Sequence, residues 1–559
     1  MLDLIFTPYE PARRAERADL EQMSPSFPMR VARAEALPYT GTVVRAGQRR
    51  PCLARGGGLL QVSSVRLDRY ALRRAAGAAF SLCLALLAAC QGNDASTYLS
   101  HDDLLDPESC GRCHAKQYQE WSSSMHAYAS DDPLFLAMNQ RGQREAGIGD
   151  FCVKCHAPMA VREGATTDGL NLDALPKSLK GVTCYFCHSV DGVQGTHNDP
   201  LQLSSDDVLL GPFSDPYSNP AHRSAYSLLH DRDKLESASL CGSCHDIVND
   251  HGAQIERTYA EWQETVFSQP AIGTSCGQCH MDQSLVDEPA ATSTGAPLRR
   301  PHNHRFPGVD LALDRDADDT TAKAVQAFLD TSLQSALCVK GAGSTAQIQL
   351  VLDNVAAGHH FPSGAAQDRR AWVEIQASQG DQRVYSSGVV PAGTPVTSLA
   401  DPDLWLLRDC LFDASGKETH EFWAAADYET NLLPGQLSFD ASDPRYYQTH
   451  VVQNYPRAAT QLIPYPDQVT AQFHLEPIGL DVFDDLVQSG DLVDTDRYTV
   501  ADLRARLASR SIGQVVTWTS DSATERFIDG AQPVACVSTT NLRASSDKVP
   551  ALNHTRCTP

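Results

Sequence analysis

Cys110-Gly111-Arg112-Cys113-His114 sets two thiols three positions apart, with an imidazole directly after the second. The same spacing recurs at Cys152-Cys155-His156, Cys184-Cys187-His188, Cys241-Cys244-His245 and Cys276-Cys279-His280. These five copies take up ten of the 17 cysteines. At the Cys and His frequencies of this chain, roughly 0.02 copies are expected by chance. Three further cysteines (Cys52, Cys83, Cys90) precede residue 91, and four (Cys338, Cys410, Cys536, Cys557) follow the last motif.

Structural zinc also uses Cys-x-x-Cys pairs, but it needs two pairs per ion and makes no demand on the residue after the second Cys. Covalent haem does. The two thiols form thioethers with the porphyrin vinyl groups, and the adjacent His becomes the proximal iron ligand. The spacing therefore predicts five covalently bound haem c groups, with His114, His156, His188, His245 and His280 as proximal ligands.

The second axial ligand decides whether an iron only carries electrons or also binds a small molecule. Of the 14 His outside the motifs, His126, His222 and His304 are the leading distal candidates. His197, His230 and His302 follow. His101, His251, His359 and His360 rank lower. The segment from Ala115 to Ser130 reads as one helix continuing from the first motif. His126 then stands about 18 Å from His114 along it and must reach a neighbouring iron. Tyr118-Gln119-Glu120-Trp121 and Tyr259-Ala260-Glu261-Trp262 form a faint internal repeat. His126 stands five residues after the first Trp, and Phe267 holds that place in the second copy. A duplicated haem-helix unit and an amphipathic helix with a core Trp both account for it.

The motifs lie within about 170 residues, one haem per roughly 35, too few residues for an independent protein core, so the porphyrins must form it. Turn formers are dense (Gly211-Pro212, Asp215-Pro216, Asn219-Pro220), helices are expected to be short, and sheet is not expected.

Ahead of this region, Arg66, Arg69, Arg73 and Arg74 precede an apolar run from Ala75 to Ala89 that ends Leu87-Ala88-Ala89-Cys90. The pattern resembles a bacterial lipoprotein signal, with Cys90 as the lipidated mature N-terminus. The alternative is an ordinary secretory signal cleaved nearby. The run is too short for a transmembrane anchor. Haem attachment to such motifs takes place outside the cytoplasm, so export is expected independently. The expected organisation is a mis-annotated or disordered leader (1–64, with translation starting near Val65), a signal (65–89), a linker (90–100), a pentahaem domain (101–307), a connecting helix (308–340) and a β-rich domain (341–559). The expected location is the periplasm, outer membrane or cell surface of a bacterium, with the membrane reached by a lipid anchor only.

The 559-residue chain carries a net charge of −23, with 42% hydrophobic and 21% charged residues. Wholesale disorder is excluded. Nucleic acid is excluded as the main partner, because phosphates would be repelled. Residues 1–89 contribute +6, so the remainder stands at −29, a charge that would draw a basic redox partner. No P-loop, Rossmann or Ser-His-Asp signature is present.

Cys110-x-x-Cys113-His114 followed by Glu120-Trp121 and Ser124-x-His126 resembles the opening of the cytochrome c-554 family of multihaem cytochromes. Phe151-Cys152 to Pro158, Gly181-Val182-Thr183-Cys184 to His188 and Leu240-Cys241 to Asp246 are similar to later motifs in exported relatives. The resemblance covers about 101–307. It implies stacked haem pairs, mostly bis-His irons, electron transfer, and one haem able to stay five-coordinate. The family's namesake has four haems where this chain has five motifs. Related pentahaem nitrite reductases usually replace one motif His by Lys, whereas all five motifs here carry His.

Beyond residue 318, a helix over 318–337 is expected from Ala324, Val325, Phe328 and Leu329. Strands are expected at Ile348–Leu352, Ala371–Ile375, Val384–Val390, Leu404–Phe412, Val469–Leu475 and Val515–Trp518. Helices are expected at Leu480–Ser489 and Val500–Ser509. The fold class predicted is a mainly-α, irregular multihaem domain followed by an immunoglobulin-like β-sandwich. Gly358-His359-His360-Phe361-Pro362 resembles a segment following haem domains in other multihaem cytochromes, and His359 or His360 is a candidate cap for one haem. The last four cysteines allow three disulfide pairings, with Cys536–Cys557 closing the tail as one expectation. Three functions fit the sequence: an exported electron carrier, favoured over an enzyme; a terminal reductase or oxidase of a small nitrogen or sulfur oxyanion at one open haem; and a subunit of an extracellular cytochrome oligomer.

Overall fold

Side-chain caps open several of the short helices in the first half of the chain. Asp106 accepts from Glu108 N to open Pro107–Gly111. Asp132 accepts from Leu134 N to open Pro133–Ala146, which Gly147 closes in the left-handed conformation at φ 59°. Both patterns satisfy backbone groups that a helix end leaves bare. The structure, a computed structural model, describes residues 98–219, 221–458, 460–507, 510–520, 543–544 and 557. The expected leader, the signal and the lipidation site Cys90 lie outside the described residues.

The single helix expected from Ala115 to Ser130 is two helices, Ala115–Ser122 and Met125–Tyr128. Three successive serines break it. The hydroxyls of Ser122, Ser123 and Ser124 donate to the carbonyls of Gln119, Glu120 and Trp121, competing with the helical ladder. Ser124 then caps the second piece by accepting from Ala127 N.

Sheet was not expected among the motifs, yet four two-stranded sheets occur there. Val190–Val193 pairs antiparallel with Leu201–Leu203, and Val208–Gly211 pairs parallel with Arg223–Tyr226. Ile247–Val248 pairs with Gln254–Glu256, and Glu288–Pro289 with Leu298–Arg299. Each ladder is only two to four residues long. It satisfies buried backbone groups without needing an apolar sheet face, so the turn-rich composition did not exclude it.

The connecting helix runs over Asp319–Ser332, opened by Asp318, which accepts from Thr320 N and Thr321 N. It ends earlier than expected, because Leu333–Ala342 is a strand. That strand pairs residue for residue with Thr345–Asn354, from Asn354↔Leu333 to Thr345↔Ala342. Ten cross-strand pairs override local helix propensity here.

Two five-stranded sheets dominate the C-terminal half. The first centres on Thr345–Asn354, flanked by Leu333–Ala342, His450–Tyr455 and Ile463–Pro464, with Arg543–Ala544 beyond. The second runs Gln382–Ser387, Arg370–Gln379, Gln468–Glu476, Arg510–Thr519, with Trp405–Leu407 beside Arg370–Gln379. Leu337, Ile348 and Tyr455 from the first sheet and Val373, Phe473 and Val516 from the second share one buried core. The run expected as one strand from Leu404 to Phe412 divides between this sheet and Asp409–Asp413, part of a separate three-stranded sheet. Both helices expected near the end are present, as Leu480–Gln488 and Val500–Arg506.

Cys557 pairs with Cys410, the Cα atoms 5.5 Å apart, which corrects the expected Cys536–Cys557 bridge. Cys338 is also disulfide-bonded. Among the described residues, no helix is long and apolar enough to cross a membrane.

The haem-motif half and the sheets belong to one compact unit. Leu134, Ala137 and Met138 pack against Val482, Phe483 and Leu486. Arg141 bridges Glu421 and Asp485, and buried Arg257 bonds Asp409 at 2.6 Å. Nearby, Glu476 is 3% exposed, and burial pushes its carboxyl from 4.5 up to about 7, against the pull of its bond from Leu480 N. The folded state therefore holds a proton that the unfolded chain releases, and stability falls as pH rises from 4.5 to about 7. Glu476→Gln is expected to flatten that limb by on the order of 2 kcal/mol. Urea midpoints at the two ends of the window measure it, and an unchanged slope would remove Glu476 as its source.

Candidate haem-binding centre

All ten motif cysteines and all five motif histidines line one cavity of about 1150 Å³. All ten thiols are free. Each motif is placed by a short helix. Thr183 caps Cys184–Ser189, and Ser275 forms a capping box with Gln278 at the head of Cys276–His280. Cys110 lies within hydrogen-bond reach of Cys184, Cys155 of Cys244, and Cys241 of Cys276. Attachment points of the first and third, second and fourth, and fourth and fifth motifs therefore touch, and groups carried there are neighbours.

Every motif imidazole is oriented through Nδ1. The Nδ1–H of His114 donates to Ala290 O at 3.0 Å, of His156 to Ala129 O at 2.9 Å, of His188 to Leu210 O at 2.6 Å and of His280 to Pro307 O at 2.8 Å. His245 Nδ1 bonds a carboxylate instead, Glu256 Oε1 at 3.3 Å. This fixes the tautomer and leaves each Nε2 for a metal.

Two imidazoles on opposite faces of one iron, each bound at about 2 Å, hold their ring centroids roughly 6 Å apart. Four such pairs occur: His114–His222 at 6.3 Å, His245–His126 at 6.2 Å, His188–His304 at 6.4 Å and His280–His359 at 6.4 Å. Burial holds His126 and His304 down to about 3 and His280 to about 4. It thereby favours the neutral imidazole that ligates metal. His245 is the exception. Burial alone would lower it, but Glu256 raises it to about 9. Among the described ring contacts, His156 has no second His. Phe135 stacks on it at 4.0 Å and 4°.

The leading distal candidates His126, His222 and His304 thus all stand opposite motif imidazoles. His359, ranked low in the sequence, completes the fourth pair. Its signal was the segment Gly358-His359-His360-Phe361, but the sequence could not choose between the two His. The other candidates are placed differently. His230 also approaches His188, at 5.6 Å, but its Nε2 bonds Cys187 O at 2.7 Å. His304 instead uses Nδ1 on His302 O at 3.2 Å and keeps Nε2 available. His302 lines the cavity without a ring partner among the described contacts. His197 is exposed, bonds Thr196 and does not line the cavity.

The faint repeat is a repeated scaffold. Tyr118 and Tyr259 press on Gly111 and Gly242 of the motif before them, so a Cβ at either glycine would meet the ring at 2.8 Å or 2.2 Å. Trp121 Nε1 donates to Val182 O and Trp262 Nε1 to Thr274 O, two residues before the first Cys of the third and fifth motifs respectively. The two glutamates are buried and hold the distal loops. Glu120 accepts from His304 N at 3.0 Å and Arg305 Nη1 at 2.9 Å. Glu261 accepts from His360 N at 3.2 Å and Ser363 Oγ at 2.6 Å. A further close contact fixes His126: Val182 N donates to its carbonyl, and Gly181 (φ 68°) passes so near that a Cβ would lie 2.7 Å from that oxygen.

The donors fit covalent haem: paired thiols on a shared wall, oriented imidazoles beside them, and second imidazoles at axial spacing. Residues 109–189 match the family model described as cytochrome c554 and c-prime. The span holds three of the five motifs. No curated protein is matched by the chain. A penta-heme cytochrome c552 from Thermochromatium tepidum aligns with a TM-score of 0.49 at 18% identity, over 76% of this chain and 99% of that one.

Proposed function

We propose that this protein is a pentahaem c-type cytochrome that carries electrons through four bis-histidine irons and one single-histidine iron. The observation that carries the reading is the placing of a second imidazole 6.2–6.4 Å from four of the five motif imidazoles. Each bound haem c supplies a one-electron couple. The chain orients both axial ligands, surrounds the groups with apolar walls and brings their attachment points into contact. Export, a lipid anchor at Cys90, a periplasmic or cell-surface location and a basic redox partner belong to the same proposal, supported by the signal-like run before Cys90 and the charge of −23. The two sheets sharing a core support an immunoglobulin-like sandwich beside the haem region.

A second reading, reduction or oxidation of a small nitrogen or sulfur oxyanion, is favoured by His156, which faces Phe135 rather than a second imidazole. Mass spectrometry and EPR of the purified protein test both. Five haem masses with four low-spin centres and one high-spin centre are expected. Nitrite or hydroxylamine shifting the high-spin signal would favour the enzyme. Five low-spin signals would remove it, and a protein at its bare polypeptide mass would overturn both readings.

A further inference from the structure

His245 is singled out by what stands behind it. Four motif imidazoles donate Nδ1–H to a backbone carbonyl, whereas His245 bonds a carboxylate, Glu256 Oε1, at 3.3 Å. The contact is built into the fold. Immediately after His245 the chain enters the hairpin of Ile247–Val248 with Gln254–Glu256, in which Ile247 and Glu256 are direct partners. Glu256 is thus returned to the imidazole by backbone pairing, and its side chain is 14% exposed.

A carboxylate is a stronger hydrogen-bond acceptor than a neutral carbonyl. Bonded to the far nitrogen of a ligating imidazole, it increases the ligand's electron donation. More donation stabilises ferric over ferrous iron and lowers the reduction potential. His126 stands opposite His245 at 6.2 Å, so this site keeps two imidazole ligands like its neighbours. The difference lies in the charge behind one of them. Cys244 touches Cys155 of the second motif, so the iron in question adjoins that of the single-histidine site.

We infer that Glu256 is a positioning residue that acts through His245 to make the fourth-motif haem the lowest in potential of the four bis-histidine haems, so that its electron passes most readily to the neighbouring His156 iron. The inference rests on the pentahaem reading, and the haem count separates failure of one from failure of the other.

The test is a spectropotentiometric titration of the full haem-loaded protein and its Glu256→Gln variant. Both should carry five haems. In the variant, one bis-histidine component is expected to move positive by at least a tenfold change in its ferric-to-ferrous equilibrium, 59 mV for one electron, with the other components in place. Asp310→Asn is the control for charge alone. It removes a cavity-lining carboxylate that pairs with Arg369 and not with a motif imidazole, and should leave that component unmoved. If Glu256→Gln loses haem, Glu256→Asp keeps the charge with a shorter reach and should move the same component by less. An unmoved midpoint in the haem-complete variant, or an equal shift in Asp310→Asn, would overturn the inference.

Discussion

His304→Ala is expected to turn one low-spin ferric centre into a high-spin one and to leave the haem count unchanged. The thioethers and His188 remain, so attachment survives. What is lost is the imidazole 6.4 Å from His188. Water or an empty position gives a weaker ligand field, so the ferric iron changes spin state and gains the capacity to bind carbon monoxide when reduced. EPR spin counting should show one low-spin centre fewer and one high-spin centre more than in the parent. The same result is expected for His126→Ala, His222→Ala and His359→Ala, each at a different haem. His197→Ala should leave the spectrum unaltered, because that side chain is exposed and off the cavity wall. His230→Ala is the sharpest comparison. If it, and not His304→Ala, produces the new high-spin signal, His230 is the ligand and the Nε2 bond to Cys187 O does not persist around the bound group.

Glu261→Ala should produce the largest loss of stability, about 3 kcal/mol. Its side chain is 5% exposed and lies 3.6 Å from the 6%-exposed Arg257. Removing it strands the His360 N–H and leaves the Ser363 hydroxyl with Thr258 Oγ1 as its remaining partner, and among the described residues Arg257 keeps only Asp409 as an ion-pair partner. The loop released also carries His359, so a fraction of the fifth-motif iron should become high-spin. Urea unfolding and EPR on one preparation measure both. Glu261→Gln keeps one acceptor and should fall between parent and alanine variant. A stability loss without any spin-state change would mean that Glu261 braces the fold and leaves His359 in place unaided.

The five candidate attachment motifs were legible because the chemistry they serve is local. Cys, Cys and His must be neighbours in the chain, and a five-residue window shows that. The scaffold was half legible. Tyr-x-Glu-Trp stood out twice, but its meaning depends on where the Trp indole and the Glu carboxylate end, at Val182 and His304 in one copy and at Thr274 and His360 in the other. The strand Leu333–Ala342 was hidden because its sequence suits a helix until its partner is present. Glu256 carried no signal at all, since only the hairpin brings it back to His245.

By itself, then, the sequence determined where the five Cys-x-x-Cys-His motifs stand and which imidazole adjoins each thiol pair, because those groups are neighbours along the chain. Tertiary structure alone decided which imidazoles face one another, that His156 faces Phe135 and no second His among the described residues, the Cys410–Cys557 bridge and the carboxylate behind His245. Each of these is a meeting of groups far apart along the chain. Such meetings are selected by packing, backbone pairing and burial of the whole molecule rather than by local spacing.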